Sequence, residues 1–440
     1  MKTRLVMGSF DAEQYWISED SVKLPAFADK EVDNTVLAMD ELLFLACDRN
    51  DLLITRFPVK DEQIAYLNTI GFFFSNNRDC VSMNEVDIYD KSKDIFRILC
   101  KEENFCRFKE LILPNMEVLY FSCTPYLNDF LETYHLDKKN YVDEHIFKMV
   151  NSKVFSSKLN QRLLGKKHIQ IVKSSHELEK VGMEYFQAGP IVIKEEFGVS
   201  GKGNCYIDSV AKFKSIIKYV QKQENKGKKV ELIVEKFLDK LFDFSSQYYI
   251  DKMGECELIS VQQIQNKNMS YHGSFTASEE LLQDLKGCNY FSKCKIVTDE
   301  LFRLGYCGHV CIDSMMLRNS EVEDVVEINA RMSMSLLKKK IDDFLSKKGQ
   351  NGYLSHLSLK IPVTLQYTDL LVSLEQKGIL YAGENEGVIP LTPNSMFINT
   401  KINMKNNAKV YGRLYFAMVG ENDNLNKFKS VLEDLNISIL

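Results

Sequence analysis

Apolar and polar side chains alternate in residues 325–331, which read Val-Val-Glu-Ile-Asn-Ala-Arg. Successive side chains of an extended strand point to opposite faces, so Glu327, Asn329 and Arg331 share one face of this segment. The other face is apolar and can pack against a core. A carboxylate, an amide oxygen and a guanidinium on one face suit a divalent cation and a phosphate chain.

A second strand candidate with an acidic end precedes this segment. Residues 308–313 read Gly-His-Val-Cys-Ile-Asp, and the polar residues 318–321 form a turn between the two candidates. The midpoint between Asp313 and Glu327 falls inside that turn, so a hairpin places the two carboxylates opposite each other. Like charges across a ladder are unfavourable, and a magnesium ion between them would relieve the repulsion. An ordinary hairpin with a solvated acidic face is the alternative, because short motifs often match by chance.

A glycine-rich loop at 198–203, Gly-Val-Ser-Gly-Lys-Gly, lies between two predicted strands. It is not a Walker A loop, because Glu196 and Gly203 stand where that motif needs glycine and serine or threonine. Its backbone N–H groups can fold over a polyphosphate, although a plain flexible hairpin fits equally well. Lys194, just upstream, would direct its ammonium group towards the loop, although a lone lysine is usually a solvated surface charge.

A predicted strand at 230–234 runs into the short linker Glu235-Lys236-Phe237-Leu238. The backbone N–H and C=O groups of such a linker suit the hydrogen-bonding edge of an adenine ring. Without further context, the apolar members of this linker are ordinary core residues. The context comes from the order of all these features along the chain, with Asp243 after the linker and Lys153 upstream of the loop.

That order resembles the ATP-grasp superfamily, in which two α+β lobes hold ATP and magnesium between them. The resemblance covers roughly residues 141–335 and rests mainly on the glycine loop and the Glu-x-Asn-x-Arg strand. It implies an α/β chain with α+β lobes, in which an α/β N-terminal domain at 1–140 precedes the ATP-grasp core. That core would span 141–345, with a small lobe at about 168–238, and residues 346–440 would complete the large lobe.

The resemblance also implies a role for each matched residue. Those expected to bind the nucleotide are Lys153 and Lys194 (α- and β-phosphates), Ser200, Gly201, Lys202 and Gly203 (β- and γ-phosphates), Glu235, Lys236 and Leu238 (adenine) and Asp243 (ribose). Those expected to hold magnesium, for which manganese could substitute, are Asp313, Glu327 and Asn329. Arg331 and Lys194 would be catalytic, with Arg331 stabilising the transferring phosphoryl group. Two departures are Asp313, where many members have glutamate, and the acidic pair Glu195-Glu196 at the entrance to the loop.

Residues 51–56, 327–333 and 412–415 carry a narrower resemblance within the superfamily. It is to the amino-acid and peptide ligases of specialised metabolism, including butirosin-type ligases that load glutamate onto a carrier protein. The implied activity is ATP-dependent coupling of a carboxylate to an amino acid or peptide, with release of ADP and phosphate. A thioester-forming ligase acting on a carrier protein is one alternative. An ATP-grasp kinase and a nucleotide-binding scaffold without turnover are two others. The intact Asp313, Glu327, Asn329 and Arg331 set argues against the scaffold.

Composition limits the other classes of function. The chain has 440 residues, a formal net charge of −5 and eleven cysteines without metal-type spacing. The negative net charge does not indicate the basic surface that is typical of nucleic-acid-binding proteins. The cysteine pattern predicts reduced thiols in a cytoplasmic protein. We find no signal peptide and no run of roughly 18 apolar residues, so we expect no membrane association. The expected partners are small-molecule or peptide substrates and a carrier protein, and a homodimer is common in the superfamily.

Local patterns predict the remaining elements. Around the matched region they predict a strand–helix–strand unit at 51–74, a helix at 146–164 with a break near 151–152, strands at 169–172, 191–194 and 204–207, a leucine-rich helical region at 353–377, a strand at 413–419 and a closing helix at 423–435. The strands at 169–234 would form a small antiparallel lobe.

Overall fold

The computed structural model describes residues 3–26, 29–81, 93–138, 141–198, 203–267, 270–400, 409–420 and 423–440. The strands are β1 Arg4–Met7, β2 Leu52–Leu53, β3 Ser75–Asn76, β4 Glu117–Tyr120, β5 Ile169–Val172, β6 Ile191–Glu195, β7 Asn204–Ile207, β8 Leu232–Lys236, β9 Lys240–Ile250, β10 Cys256–Lys267, β11 Ser270–Thr276, β12 Gly308–Leu317, β13 Val322–Asn329, β14 Gly352–Pro362, β15 Gly387–Pro390, β16 Lys409–Val419 and β17 Ser438–Ile439.

The α-helices are α1 Lys30–Leu37, α2 Asp61–Ile70, α3 Ile95–Leu99, α4 Glu102–Phe108, α5 Leu127–Thr133, α6 Glu144–Val150, α7 Lys153–Leu164, α8 Ser175–Phe186, α9 Val210–Glu224, α10 Glu279–Gly287, α11 Tyr290–Arg303, α12 Met334–Ser346, α13 Tyr367–Gln376, α14 Pro393–Phe397 and α15 Asp423–Asp434. Short 3₁₀ helices span Ala12–Trp16, Ala38–Ala46 and Ile398–Thr400. The predicted break in the helix at 146–164 is confirmed, because α6 and α7 are separate and the Ser152 side chain caps the second.

The N-terminal region contains a parallel sheet with strand order β3-β2-β1-β4. Helix α2 ends at Gly71, whose φ of 112° is left-handed and suits glycine. The strand predicted directly after this glycine is wrong in position, because pairing starts only at Ser75. Phe72 and Phe74 instead pack against the ring of Phe44 before the backbone reaches the sheet.

The small lobe is a four-stranded antiparallel sheet in the order β5-β8-β6-β7. The strands predicted at 169–172 and 204–207 are confirmed at both ends. Helices α8 and α9 cover the sheet, and their apolar faces share its hydrophobic core. Val22 and Leu24, from the N-terminal region, also lie in that core, so a strap of the N-terminal chain is packed into the small lobe.

The large sheet follows the order β13-β12-β9-β10-β11-β14-β16-β15, with β17 beside β14. The helical region predicted at 353–377 is wrong in its first half, where β14 forms and pairs with β16 over its whole length. Leu357, Leu359 and Ile361 are buried at a spacing of two residues, which is the period of a strand. Helix α13 forms only after this strand, and α15 confirms the closing helix within a residue at its end.

Two hydrophobic cores cross between the N-terminal region and the rest of the chain. One contains Phe130 together with Phe244 and Ile328 of the large sheet, and the other contains Leu43 together with Tyr415 of β16. These cores fix the N-terminal region against the large sheet.

Among the helices of the described ranges, we find none with the length and apolar character needed to cross a lipid bilayer.

Candidate active site

The small lobe, the large sheet and the N-terminal region enclose a cavity of about 1170 Å³. Most of the residues predicted to form a nucleotide and metal site line it. They are Lys153, Lys194, Gly203, Glu235, Lys236, Leu238, Asp243, Asp313, Glu327, Asn329 and Arg331. The predicted contacts of Ser200, Gly201 and Lys202 lie outside the described residues.

The two carboxylates predicted to oppose each other do so. Asp313 of β12 pairs with Glu327 of β13 in the antiparallel register, so the hairpin predicted from the turn is confirmed. Burial and the charge of Glu327 raise the pKa of Asp313 to about 7. The Asn329 amide nitrogen donates to the Asp313 carboxylate at 2.9 Å, and Cys311 Sγ lies 3.5 Å from it. These neutral partners of Asp313 only partly offset the repulsion between the carboxylates of Asp313 and Glu327.

Glu327 has a cationic partner at the start of α7. Lys153 Nζ lies 2.9 Å from Glu327 Oε1 and donates to the carbonyl oxygen of Gly198 at 3.0 Å. Burial opposes ionisation of Glu327, but Lys153, Lys194 and Arg331 outweigh it and lower its pKa. Lys153, at the start of α7, therefore connects the β12–β13 hairpin to Gly198 at the entrance of the glycine loop.

Lys194 contacts Glu235 on the neighbouring strand of the small lobe. Its Nζ lies 2.5 Å from Glu235 Oε2, and both residues line the cavity. The backbone of the linker that follows is partly engaged, because Lys236 N donates to His168 O and Phe237 N to Pro190 O. Within the described chain, the N–H of Leu238 has no hydrogen-bond partner, so it is the linker group open to a ligand.

Asp243 lies at the start of β9, and 8% of it is exposed. The side chains of Lys240 and Asn266 both donate to its Oδ2, from Asn266 at 2.7 Å. Neither partner was predicted from the sequence. Lys240 precedes Asp243 by three residues on β9, whereas only the pairing of β9 with β10 brings Asn266 close to it.

Arg331 is held by contacts that the sequence pattern did not predict. Its Nε donates to Glu13, 318 residues away, and its guanidinium lies 5.5 Å from the ring centroid of Phe121. Its Nη2 donates to Asn329 Oδ1 at 3.0 Å, so Arg331, two residues beyond the end of β13, stays on the same face as Asn329. Burial opposes the charge, but Glu13 outweighs it and raises the pKa of Arg331. Glu13, in a short 3₁₀ helix, had no motif that could have revealed it.

The residues present suit a hard divalent cation that keeps phosphate or water ligands. No group of three or more His, Cys, Asp or Glu side chains in the described ranges could hold a metal ion by itself. Asp313 and Glu327 supply two opposed carboxylates, and Asn329 supplies an amide oxygen, which is the incomplete donor set typical of magnesium at a nucleotide. In the structure, Asn329 Oδ1 accepts from Arg331, and the Glu327 carboxylate forms an ion pair with Lys153.

Comparison with known proteins gives one partial relative. No protein-family model matches the chain. A [butirosin acyl-carrier protein]–L-glutamate ligase from Niallia circulans is 31% identical to it over 144 residues. That match covers 32% of this chain and 33% of the relative, so it spans only about a third of the relative's length.

Solved structures match over nearly the whole chain. An L-amino acid ligase from Bacillus licheniformis superposes with a TM-score of 0.51 and 12% identity, over all of this chain and 99% of its own. A biotin carboxylase from Campylobacter jejuni, solved with a β-γ-ATP complex, gives a TM-score of 0.52 and 12% identity, over all of this chain and 92% of its own. The chain therefore has the ATP-grasp fold, which confirms the fold that the sequence resemblance implied.

Proposed function

We propose that this protein is an ATP-dependent ligase that activates a carboxylate as an acyl phosphate and couples it to an amine. One observation carries the proposal. The cavity is lined by Lys153 of α7, Lys194 of the small lobe, the Asp313–Glu327 pair and Arg331. This combination supplies cations for a triphosphate and carboxylates for its metal, as phosphoryl transfer requires.

The nucleotide would lie between the lobes. Lys153 and Lys194 would contact its α- and β-phosphates, and the loop that ends at Gly203 would cover the β- and γ-phosphates. Adenine would bind at 235–238, where the unpaired N–H of Leu238 supplies a donor, and Asp243 would reach the ribose. Asp313, Glu327 and Asn329 would hold magnesium, which would neutralise phosphate charge and orient the γ-phosphoryl group.

The chemistry divides into two steps. A carboxylate oxygen of the substrate attacks the γ-phosphorus, and the bond between that phosphorus and the bridging oxygen to ADP breaks. The amine nitrogen then attacks the acyl carbon, phosphate leaves with the bonding electrons, and the amine proton passes to phosphate. Arg331 and Lys194 would stabilise the negative charge that moves in the first step, and most of the catalysis would come from positioning and charge neutralisation.

A second candidate acceptor is the thiol of a carrier protein. It is favoured by the partial relative described above, whose name states a ligase of an acyl-carrier protein and L-glutamate. The first step would be the same, and the thiol sulfur would displace phosphate to form a thioester. Either acceptor would suit peptide or natural-product biosynthesis in the cytoplasm, with magnesium or manganese as the metal.

The test is ADP and phosphate release across a matrix of carboxylic acids and acceptors. The acceptors would be amino acids, dipeptides and a phosphopantetheinylated carrier protein, and the Arg331→Lys variant would serve as the control. Release that needs both an acid and an amine would support the amide ligase, and release that needs the carrier thiol would support the thioester ligase. A stable phosphorylated product would indicate a kinase. No release above the control in any combination would contradict the ligase.

A further inference from the structure

A second arginine faces the cavity from the C-terminal part of the large sheet. On β16, Tyr411, Arg413 and Tyr415 alternate and all line the cavity, as a single face of a strand does. The residues opposite them on β14, Ser358 and His356, line it as well. These five side chains form a polar and aromatic patch, called the β14–β16 patch below, that none of the predicted nucleotide contacts includes.

Arg413 has no acidic partner in the described part of the chain. Its Nη2 donates to the Tyr411 hydroxyl at 3.1 Å, while its buried Nε has no hydrogen-bond partner. Other arginines of this interior are paired: Arg56 lies 3.2 Å from Asp40, and Arg331 binds Glu13. Arg413 is half-buried beside the cavity. A guanidinium that is partly withdrawn from water without a counter-ion is costly, so its retention favours an anion from elsewhere.

The neighbours in the β14–β16 patch cannot supply that anion. Burial, followed by the charges of Arg413 and His272, lowers the pKa of His356 to about 3, so this imidazole is neutral near pH 7. Burial raises the pKa of Tyr415, which keeps its hydroxyl protonated. His356 Nδ1 is also buried without a hydrogen-bond partner. The patch thus presents one fixed positive charge, neutral polar groups and an unused ring nitrogen.

We propose that Arg413 binds a carboxylate of the substrate other than the one that is activated. Planar guanidinium groups bind carboxylates through two parallel hydrogen bonds, and Arg413 has its Nε free for one of them. This inference rests on the proposed ligase function, which assigns one group of the substrate to the reaction. Arg413 would bind a carboxylate elsewhere in the substrate. The substrate class is therefore a bifunctional acid, either an α-amino acid or a dicarboxylic acid.

An aromatic surface connects the two arginines. Phe121 lies under Arg331 and stacks on Phe10 at a centroid distance of 4.0 Å, and both rings share a hydrophobic core with Tyr415. Arg331 follows β13 at one end of the large sheet, whereas Arg413 lies in β16 towards the other end. A substrate that spans this surface would have its apolar part on the rings and its second carboxylate at Arg413.

The test is binding without nucleotide, measured by calorimetry, for matched pairs of acids and amides. The probes are L-alanine with L-alaninamide, L-glutamate with L-glutamine, and succinate with succinamate. We expect the wild-type protein to bind the acid of at least one pair more tightly, by about 10- to 100-fold, because one charged hydrogen-bonded contact is lost in the amide. Arg413→Gln should abolish the preference, and Arg413→Lys should retain part of it.

The controls distinguish a failure of this proposal from a loss of folding and from a failure of the proposed ligase function. Arg303→Gln removes an exposed arginine that does not line the cavity and should keep the preference. Unfolding temperatures of all variants exclude loss of folding, and Mg·ADP affinity, which should not change in Arg413→Gln, reports on the nucleotide site independently. An undiminished preference in a folded Arg413→Gln variant would overturn the proposal, as would equal binding of acid and amide in every wild-type pair. Absence of Mg·ADP binding would instead count against the ligase.

Discussion

At the scale of single residues, the sequence predicted the hairpin but not the partners that hold its end. The Asp313–Glu327 register followed from the position of a polar turn, which is a local property. The ion pair between Arg331 and Glu13 joins residues 318 positions apart, and no local pattern encodes such a contact. The assigned roles of Lys153, Lys194 and Arg331 remain predictions, although all three line the cavity.

Loss of the Arg331 guanidinium should slow the proposed reaction. We expect Arg331→Ala to lower kcat by about 10²- to 10³-fold, the typical effect of removing one donor that stabilises transition-state charge. Glu13 is buried, so this variant alone would also leave a carboxylate unpaired. The double variant Arg331→Ala/Glu13→Gln should regain stability without regaining activity. Steady-state ADP release and urea unfolding of both variants measure the two effects, and recovery of activity in the double variant would contradict a direct role for Arg331.

His356 should make the protein sensitive to acid. Its pKa is about 3 in the folded protein, mainly because of burial, and near 6.5 in an unfolded chain. As the pH falls below about 6.5 the unfolded state takes up a proton that the folded state does not, so stability falls until about pH 3. His356→Gln should reduce the slope of the unfolding free energy between pH 6 and pH 4 by up to about 1.4 kcal/mol per pH unit.

The measurement is urea unfolding at several pH values. His176→Gln, which replaces an exposed histidine on α8, is the matched control and should follow the wild-type pH dependence. A His356→Gln variant with the wild-type slope would show that this histidine does not remain neutral inside the protein.

At the scale of elements, short strands with clear alternation were predicted well, and β14 was not. Its many leucines suggested a helix, whereas their spacing of two residues is that of a strand. The pairing partner that decides between helix and strand is β16, which follows about fifty residues later in the chain. It was predicted as a strand only from Arg413 onwards. The order of strands in the large sheet could not be predicted, because it depends on crossovers between distant segments.

Close packing of β16 against α14 gives a prediction at this scale. A Cβ atom on Gly412 would lie 2.1 Å from the carbonyl oxygen of Met396 and 2.5 Å from Ile361 Cδ1. Because one of these atoms is backbone, we expect Gly412→Ala to destabilise the protein by at least about 1–3 kcal/mol, as overpacking typically does.

Chemical denaturation with a matched glycine variant checks this prediction. Gly287→Ala, at the end of α10, adds the same methyl group where nothing lies within 4 Å of it and should be tolerated. Equal stabilities of the two variants would mean that α14 and β16 move apart at little cost.

At the scale of the whole molecule, the division of the chain at residue 140 remains a prediction. The cores already described cross that position, and the strap with Val22 and Leu24 reaches the small lobe. We therefore expect the N-terminal region and the large sheet to unfold together. Trp16, the single tryptophan of the chain, is buried in one of the shared cores and reports on the N-terminal region by its fluorescence.

The measurement compares tryptophan fluorescence, circular dichroism and calorimetry during unfolding. The fluorescence transition should coincide with the main calorimetric transition, as cooperative unfolding of a shared core requires. The Trp16→Phe variant serves as the control, because it should retain the calorimetric transition and lose the fluorescence signal. A fluorescence change that precedes the calorimetric transition would indicate that residues 1–140 unfold independently.

The ion pairs of Lys153 with Glu327 and of Lys194 with Glu235 have a consequence for how ligands enter. Each of these lysines is neutralised by a carboxylate of the protein itself. In the proposed complex, phosphate at Lys153 would release Glu327 for a cation, and a cation at Glu327 would release Lys153 for phosphate. Each ligand would therefore remove the competitor of the other, and by thermodynamic linkage the cooperativity between nucleotide and metal would be reciprocal, of the order of 1–3 kcal/mol.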